Sequence, residues 1–416
     1  MKKKKTDWGG MLMVLFFLLI GAACGLLMLD YMDAAGVEGF GSFLLYFGLL
    51  LLALYAVMYL QIILHEGGHL IFGLLTGYGF SSFRVGSLML QKTEEGLRFR
   101  RMSLAGTGGQ CLMTPPALQN GTMPFVLYNL GGVLMNLLTA LVFFLLSLLC
   151  PGTALCAVLR MGAVVGLGYA LANGLPLQSA GVSNDGANIA AMKGSKDAVR
   201  AFWAQLKVNE QSGRGVRLRD MPEEWFTLPE GADLQNRIVS SVAVMREGRL
   251  ADAQRIDEAD EAARALLEGD AKLVGVYRSL LTCDRIFFSL LRGGDPSAML
   301  TKELQKFMKS MKRFPSVLRT EYALALHGGD AEKAAKLRAD FEKMARSYPN
   351  PADIESEREL MALSDAQITA KARRAGVFPH SQPAVDKLPG RLSGLRPAIL
   401  IGFLQNRKGG ERYDTR

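Results

Sequence analysis

The chain divides into an apolar part and a polar part. Residues 8–180 are dominated by Leu, Gly, Ala, Met and Phe, whereas residues 186–416 have the charge pattern of a water-exposed protein. A helix needs roughly 20 apolar residues to cross a hydrocarbon core of about 30 Å. Four stretches approach or exceed that length, at about 11–28, 43–76, 123–149 and 155–175. The pattern therefore predicts a bundle of about four membrane helices followed by an aqueous domain.

The polar part reads as helical from residue 186 to residue 370, with Ala/Leu/Glu/Lys/Arg stretches broken by Gly, Pro and Asp. The segments Gly248–Ala253 and Gly329–Ala334 are alike, and each is expected to start a helix after an apolar one. This is weakly similar to a tetratricopeptide repeat, while a plain helical bundle is the alternative. From residue 371 onward the chain is basic and rich in Pro and Gly, which predicts a flexible tail that anionic lipid would attract.

The predicted fold class is thus mostly α: a polytopic membrane helix bundle followed by an all-α domain. The predicted units are 1–185 (membrane domain), 186–370 (helical domain) and 371–416 (tail). Between the second and third spans, residues 80–113 are strand-like, which predicts a small cytoplasmic β-hairpin.

Loop charges predict the orientation of the spans. Lys2–Lys5 precede the first span, the 30–42 loop holds no Lys or Arg, and the 77–121 segment is basic again. Basic loops stay in the cytoplasm, so an even number of spans places both termini there. The first apolar run is longer than the signal-peptide core of about 7–15 residues, which favours a retained span. We expect a multi-pass protein, most simply of the cell membrane.

Composition narrows the function. The net charge of +9 comes without a basic face interleaved with aromatics, so nucleic-acid binding is not expected. Five scattered cysteines lack C-x-x-C spacing, which favours apolar packing, although Cys150 and Cys156 are close enough to pair across a short loop.

The second apolar stretch carries His65-Glu66-Gly67-Gly68-His69. Residues four apart share a helix face, so both imidazoles can bind one metal, with Glu66 beside them as general base for zinc-bound water. Such groups are costly in a bilayer unless they have a role or a partner. The alternative is a polar cluster that joins helices by hydrogen bonds.

Catalytic zinc usually takes three protein ligands and a water. Asp185 follows the fourth span, and the predicted orientation brings it to the same membrane face as His65 and His69. It is the best candidate for the third ligand, although Ser-Asn-Asp-Gly is also an ordinary turn sequence. In the third span, Gly132 and Asn136 share a face, where a small residue allows close helix approach and Asn136 needs a partner. An interhelical hydrogen bond is the simplest role for Asn136.

Three motifs, H-E-x-x-H, then G-x-x-x-N, then N-x-x-P followed by D-G, together resemble the site-2 protease family of intramembrane zinc metalloproteases. They cover about residues 43–190 and stand in the expected order. Family members often carry a compact N-P-x-P-x-x-x-L-D-G, whereas here Asn173 and Pro176 lie farther from Asp185, and Asn184 precedes it.

The resemblance implies a three-helix catalytic core with zinc held by His65, His69 and Asp185, and Glu66 as the catalytic base. It also implies that Asn136 binds the substrate backbone or the transition state. The strand-like segment is similar to the family's β-hairpin, to which an unfolding substrate adds as a strand.

The leading hypothesis is cleavage of a peptide bond in or near a transmembrane segment of another membrane protein, as in regulated intramembrane proteolysis. The helical domain would recruit a substrate or another cytoplasmic protein. One alternative is a non-catalytic membrane scaffold that acts through the helical domain. A metal transporter is a further alternative, but it would call for more intramembrane ligands than these spans offer.

Overall fold

A computed structural model describes residues 8–101, 108–176, 178–179 and 182–374 of the chain. The predicted basic start at Lys2–Lys5 lies outside these residues. So does the predicted tail from residue 375 onward, including His380. Residues 371–374, which the sequence assigned to the tail, belong to the last helix.

Within the residues that the structure describes, four helices are long and apolar enough to cross a membrane, as predicted. They are α1 (Trp8–Ala34), α2 (Phe40–Leu75), α3 (Val126–Ser147) and α4 (Ala154–Gly174). Helices α2, α3 and α4 pack on one another, and α1 packs on α4. Most of the outward-facing residues of these helices are large hydrophobics, as lipid contact requires.

The first helix extends beyond its predicted end at Met28. Asp30 and Asp33, expected in a loop, lie in its last turns. Neither Gly nor Pro occurs between Met28 and Gly36, and Gly36 adopts φ 63° just after the helix ends. The N–H of Val37 then bonds to the carbonyl of Met32, a common way to close a helix terminus.

Helix α2 runs for 36 residues without interruption. At 1.5 Å per residue this is about 54 Å, longer than a bilayer core. The sequence left open whether it bends at Gly67–Gly68 or projects. The helix continues through the glycine pair, so it must tilt or project beyond the apolar layer.

Glycines bring α2 and α3 into backbone contact. A Cβ built on Gly68 would overlap the carbonyl of Gly131, and a Cβ on Gly131 would overlap the carbonyl of Gly68. A Cβ on Gly132 would overlap the ring of His65. The close helix approach expected around Gly132 is therefore present, and it includes Gly131 of α3 and Gly68 of α2.

Between α2 and α3 the chain forms a four-stranded antiparallel sheet, where a hairpin was predicted. The order is β3-β2-β1-β4, with β1 (Gly79–Val85), β2 (Leu88–Thr93), β3 (Gly96–Arg101) and β4 (Gly109–Thr114). Tight turns at Gly86 (φ 59°) and Gly96 (φ 109°) fold the strands back at once, which leaves room for the extra pair. The buried Arg84 donates to the carbonyls of Gly86 and Gly109 and ties β1 to both neighbours.

After α4, strands β5 (Gln178–Ser179) and β6 (Val182–Ser183) pair briefly. Between residues 185 and 374, nine α-helices follow: α5 (Asp185–Met192), α6 (Lys196–Gly213), α7 (Arg237–Asp252), α8 (Ile256–Glu268), α9 (Gly275–Arg292), α10 (Lys302–Ser310), α11 (Pro315–His327), α12 (Ala331–Ala345) and α13 (Pro351–Arg374). Helices α7–α13 share one apolar core that includes Phe287, Phe288 and Phe341.

The tetratricopeptide interpretation is not confirmed. Gly248–Ala253, expected to start a helix, forms the end of α7, and α8 begins only at Ile256. Gly329–Ala334 does precede a helix, because Asp330 caps α12 through the N–H of Lys333. The two similar segments therefore occupy different positions in their helix pairs.

The core crosses the predicted boundary between residues 185 and 186. Helix α5 contacts α3 and α4 on one side and α6 and α7 on the other. A second apolar cluster joins Met113 of β4 and Tyr128 of α3 to Ala198 of α6 and Val239 of α7. The division into units at 185 stays a prediction. All five cysteines are unpaired, and all except Cys150 are buried.

The adjacent glycines of α2 provide a matched test of the close helix contact. We expect Gly68→Ala to lower the thermal unfolding midpoint of the purified protein in detergent, because its methyl group meets the Gly131 backbone. Overpacking of this kind typically costs about 1–3 kcal/mol. Gly67→Ala meets nothing within 4 Å and should leave the midpoint unchanged or slightly raised. Equal midpoints for the two variants would contradict this view of the contact.

Candidate metal centre

The two histidines of α2 face each other across one helical turn. Both are more than nine-tenths buried, and their Nε2 atoms lie 3.2 Å apart. Their rings are nearly perpendicular, at 82°. Both Nε2 atoms therefore point toward one common position beside the helix.

The carboxyl group of Asp185, the first residue of α5, lies beside that position. Its Oδ2 lies 3.2 Å from Nε2 of His65 and 3.5 Å from Nε2 of His69. The three ligand atoms all lie within 4.8 Å of one another. Among the described residues, no other group of three such side chains comes together. The structure thus brings together the three residues that the sequence singled out.

Local sequence explains how Asp185 is held. Asn184 caps α5 by accepting from the N–H of Ala187, and its amide donates to the carbonyls of Ala172 and Leu175 at the end of α4. Gly186, which follows Asp185, lies so close to the backbone of Gly174 that a Cβ on it would overlap the Gly174 carbonyl. The start of α5 is thereby fastened to the end of α4, with Asp185 facing α2.

Each histidine uses its other ring nitrogen for a hydrogen bond. Nδ1 of His65 lies 2.6 Å from Oδ1 of Asn136, and Nδ1 of His69 lies 2.8 Å from the carbonyl oxygen of Tyr128. Both partners are acceptors, so each Nδ1 carries a proton, and in the neutral ring the lone pair is then on Nε2. Acceptors of this kind orient metal-bound histidines in other proteins.

Asn136 is itself held in place. Its amide nitrogen donates to the backbone carbonyl of Gln61 and to Gln61 Oε1, at 3.1 and 2.8 Å. Gln61 in turn donates to the carbonyl of Gly162 in α4. Because the Gln61 carbonyl can only accept, the amide orientation of Asn136 is fixed and its Oδ1 faces His65. The interhelical hydrogen bond expected of Asn136 is present, while its contact with a substrate stays a prediction.

Glu66 lies on the same turn of α2 but against the sheet. A Cβ built on Gly109 at the start of β4 would overlap the Glu66 carboxyl group. Tyr128 fastens this strand to α3, since its hydroxyl donates to the carbonyl of Cys111. Within the described residues, β4 pairs with β1 alone, so its other edge is unpaired beside Glu66.

The donor set fits a zinc ion. Oδ2 of Asp185 is buried and accepts no hydrogen bond, although buried polar atoms are normally satisfied. It lies beside two imidazole lone pairs, and two nitrogens with one carboxylate oxygen are a common ligand set of catalytic zinc. A cation at the common position would satisfy all three atoms.

Several residues that support this arrangement are not among those predicted from the sequence. Gln61 carries a signal, since an amide within an apolar span needs a partner. Asn184 before Asp-Gly is a helix-cap signal. The role of Tyr128 is carried by its backbone carbonyl, which no side-chain pattern can reveal. His327, a histidine without metal-ligand neighbours in the sequence, is exposed at the end of α11.

Asn136→Leu removes the acceptor that orients His65. We expect the zinc affinity to fall about 10–100-fold, as is typical when an outer partner of a metal ligand is lost. Chelator competition on purified protein measures this directly. Asn129→Leu is the control, because Asn129 is a buried residue of the same helix whose amide donates to the carbonyl of Phe125, just before that helix begins. If both variants hold zinc as tightly as the wild type, Asn136 does not orient a metal ligand.

Comparison with known proteins agrees with this geometry. A scan of protein families matches Peptidase family M50 over residues 53–345, well over half of the chain. Searches of curated proteins and of solved structures each find no match. M50 peptidases are zinc metalloproteases, and the match runs from α2 through α12. The chain therefore belongs to peptidase family M50, the site-2 protease family, and is a membrane metallopeptidase.

Proposed function

We propose that this protein is a zinc endopeptidase that cleaves membrane proteins in or near a transmembrane segment, as in regulated intramembrane proteolysis. His65, His69 and Asp185 would hold the zinc. The observation that carries this proposal is the convergence of their ligand atoms, with both Nδ1 atoms already engaged elsewhere. When bound, zinc would supply a nucleophilic water at neutral pH and stabilise negative charge on the substrate carbonyl oxygen.

Glu66 is the proposed general base. It follows His65 directly within the uninterrupted helix α2, so its carboxyl group stays near the histidines. It would take the proton of the attacking water and give it to the leaving amide nitrogen, as general acid–base catalysis requires. Burial of the carboxyl group between α2 and β4 keeps bulk water from competing for that proton.

The edge of β4 is the proposed docking place of the substrate backbone. A transmembrane helix must unwind before its peptide bonds become accessible, and a free strand edge offers hydrogen bonds to the unwound segment. The edge begins at Gly109, directly against Glu66. A strand added there would bring its backbone to the base. Asn136 would act mainly by orienting His65, since a substrate contact would require it to release Gln61.

Loss of the base should stop cleavage without loss of the metal. We expect Glu66→Gln to reduce cleavage by about 10²–10⁴-fold, the usual contribution of a positioned base. The measurement compares membrane-protein fragments in cells that carry the wild type or the variant. Glu95→Gln, an exposed change in the turn between β2 and β3, is the control. Equal cleavage by wild type and Glu66→Gln would refute the mechanism. If, in addition, the purified wild-type protein contains no zinc, the result would favour a non-catalytic scaffold.

We further propose that both termini and the helical domain lie in the cytoplasm, where the domain would recruit substrate or a partner. Single cysteines at Gly152, between α3 and α4, and at Gly231, before α7, test this in a chain without its native cysteines. An impermeant maleimide should label position 152 in intact cells and position 231 only after permeabilisation. The opposite pattern would invert the proposed orientation.

A further inference from the structure

The helical domain contains an acidic cavity that the proposed proteolysis does not use. The cavity has a volume of about 280 Å³ and lies between α7, α9, α11 and α13. Five acidic residues line it: Asp252, Asp353, Glu247, Asp284 and Glu357. Arg319 is the one basic side chain among the described residues of the lining, so acidic groups outnumber basic ones there.

The charges in this cavity are incompletely paired. Arg319, which is 2% exposed, bonds to Asp284 and forms an ion pair of 3.0 Å with Glu357. Glu247 is 3% exposed, and its Oε1 has no hydrogen-bond partner. A buried carboxylate without a partner is costly, and native proteins rarely keep one without a reason.

In a neighbouring cluster on α7 and α13, the carboxyl groups are all paired with donors. Arg217 donates to Asp252 of α7 and to Glu359 of α13, and Glu359 also accepts from Arg219. Asp252 accepts in addition from the backbone N–H of Arg219. In that cluster each carboxyl group has a donor. Oε1 of Glu247, which lies five residues before Asp252 in α7 and lines the cavity, has none.

The acid–base properties of the cavity point the same way. Burial, and then the charge of Asp284, raise the pKa of Glu247 well above its ordinary value. Burial raises the pKa of Glu357 to about 7 and that of Asp353 to about 6. These carboxyl groups therefore take up a proton more readily than exposed ones, and a cation beside them would favour their ionised form.

The shape and lining indicate which cation fits. The volume leaves room for several heavy atoms, far more than a bare metal ion needs. Apolar side chains surround the acidic groups, among them Val244, Met245, Leu280, Phe314 and Leu360. Tyr277 at the lining is 37% exposed and marks the side open to solvent.

We propose that this cavity binds a ligand with a guanidinium or ammonium group on an apolar stem, its positive end beside Glu247 and its stem against the apolar lining. The same chemistry occurs in free alkyl amines and in an Arg or Lys side chain of a polypeptide. This proposal is independent of the proteolytic one, because its site shares no residue with the candidate metal centre.

The experiment measures binding to the full-length protein in detergent. The probes are butylguanidinium and butylurea, which have similar shapes but differ in charge, and a capped peptide with one Arg between leucines. We expect saturable binding of butylguanidinium and none of butylurea. Glu247→Gln, which keeps the shape and removes the charge, should weaken binding at least tenfold. Glu355→Gln, an exposed change on α13 outside the cavity, should not.

The outcomes separate the possibilities. Tighter binding of the peptide than of butylguanidinium would identify a polypeptide side chain as the occupant, and the reverse would identify a free amine. The thermal midpoint of Glu247→Gln reports whether the variant folds, and it should not fall, because Gln has the shape of Glu and brings no charge into the buried site. The proposal is overturned if no charged probe binds, if butylurea binds equally well, or if folded Glu247→Gln binds like the wild type.

Discussion

The backbone contact between α2 and α3 at Gly68 and Gly131 determines the geometry of the candidate metal centre. Side chains of ordinary size would hold two helices roughly 8–10 Å apart. Here the missing side chains of Gly68, Gly131 and Gly132 let the helices meet through their backbones and leave room for the His65 ring. Only at that separation can Asn136, one turn beyond Gly132, reach Nδ1 of His65 at 2.6 Å.

A second constraint acts on the same helices, because lipid offers no hydrogen bonds to a polar group. The intramembrane polar residues respond by bonding to one another. The series runs from Gly162 in α4 through Gln61 and Asn136 to His65, and it joins three helices through buried groups. These bonds also fix the ring of His65, so the interactions that make polar residues tolerable in the membrane orient a proposed metal ligand as well.

Much of this arrangement could be predicted from the sequence, since it depends on patterns of side chains. Apolar length gave the four helices, and spacing placed His65 and His69 on one face. Backbone geometry was harder to foresee. The turns at Gly86 and Gly96 turn a predicted hairpin into four strands. The carbonyl of Tyr128 acts irrespective of its side chain. The repeat predicted from Gly248–Ala253 and Gly329–Ala334 is not confirmed, because the first segment ends a helix and the second precedes one.

The candidate metal centre and the acidic cavity have one feature in common, but their surroundings favour different cations. In each, a buried carboxylate oxygen lacks a hydrogen bond: Oδ2 of Asp185 and Oε1 of Glu247. Beside Asp185 stand two imidazole lone pairs, soft enough to bind a transition metal and converging on one point. Beside Glu247 stand an arginine, further carboxylates and apolar side chains spread around about 280 Å³. A small ion could not contact those groups at once, whereas an organic cation with an apolar stem could.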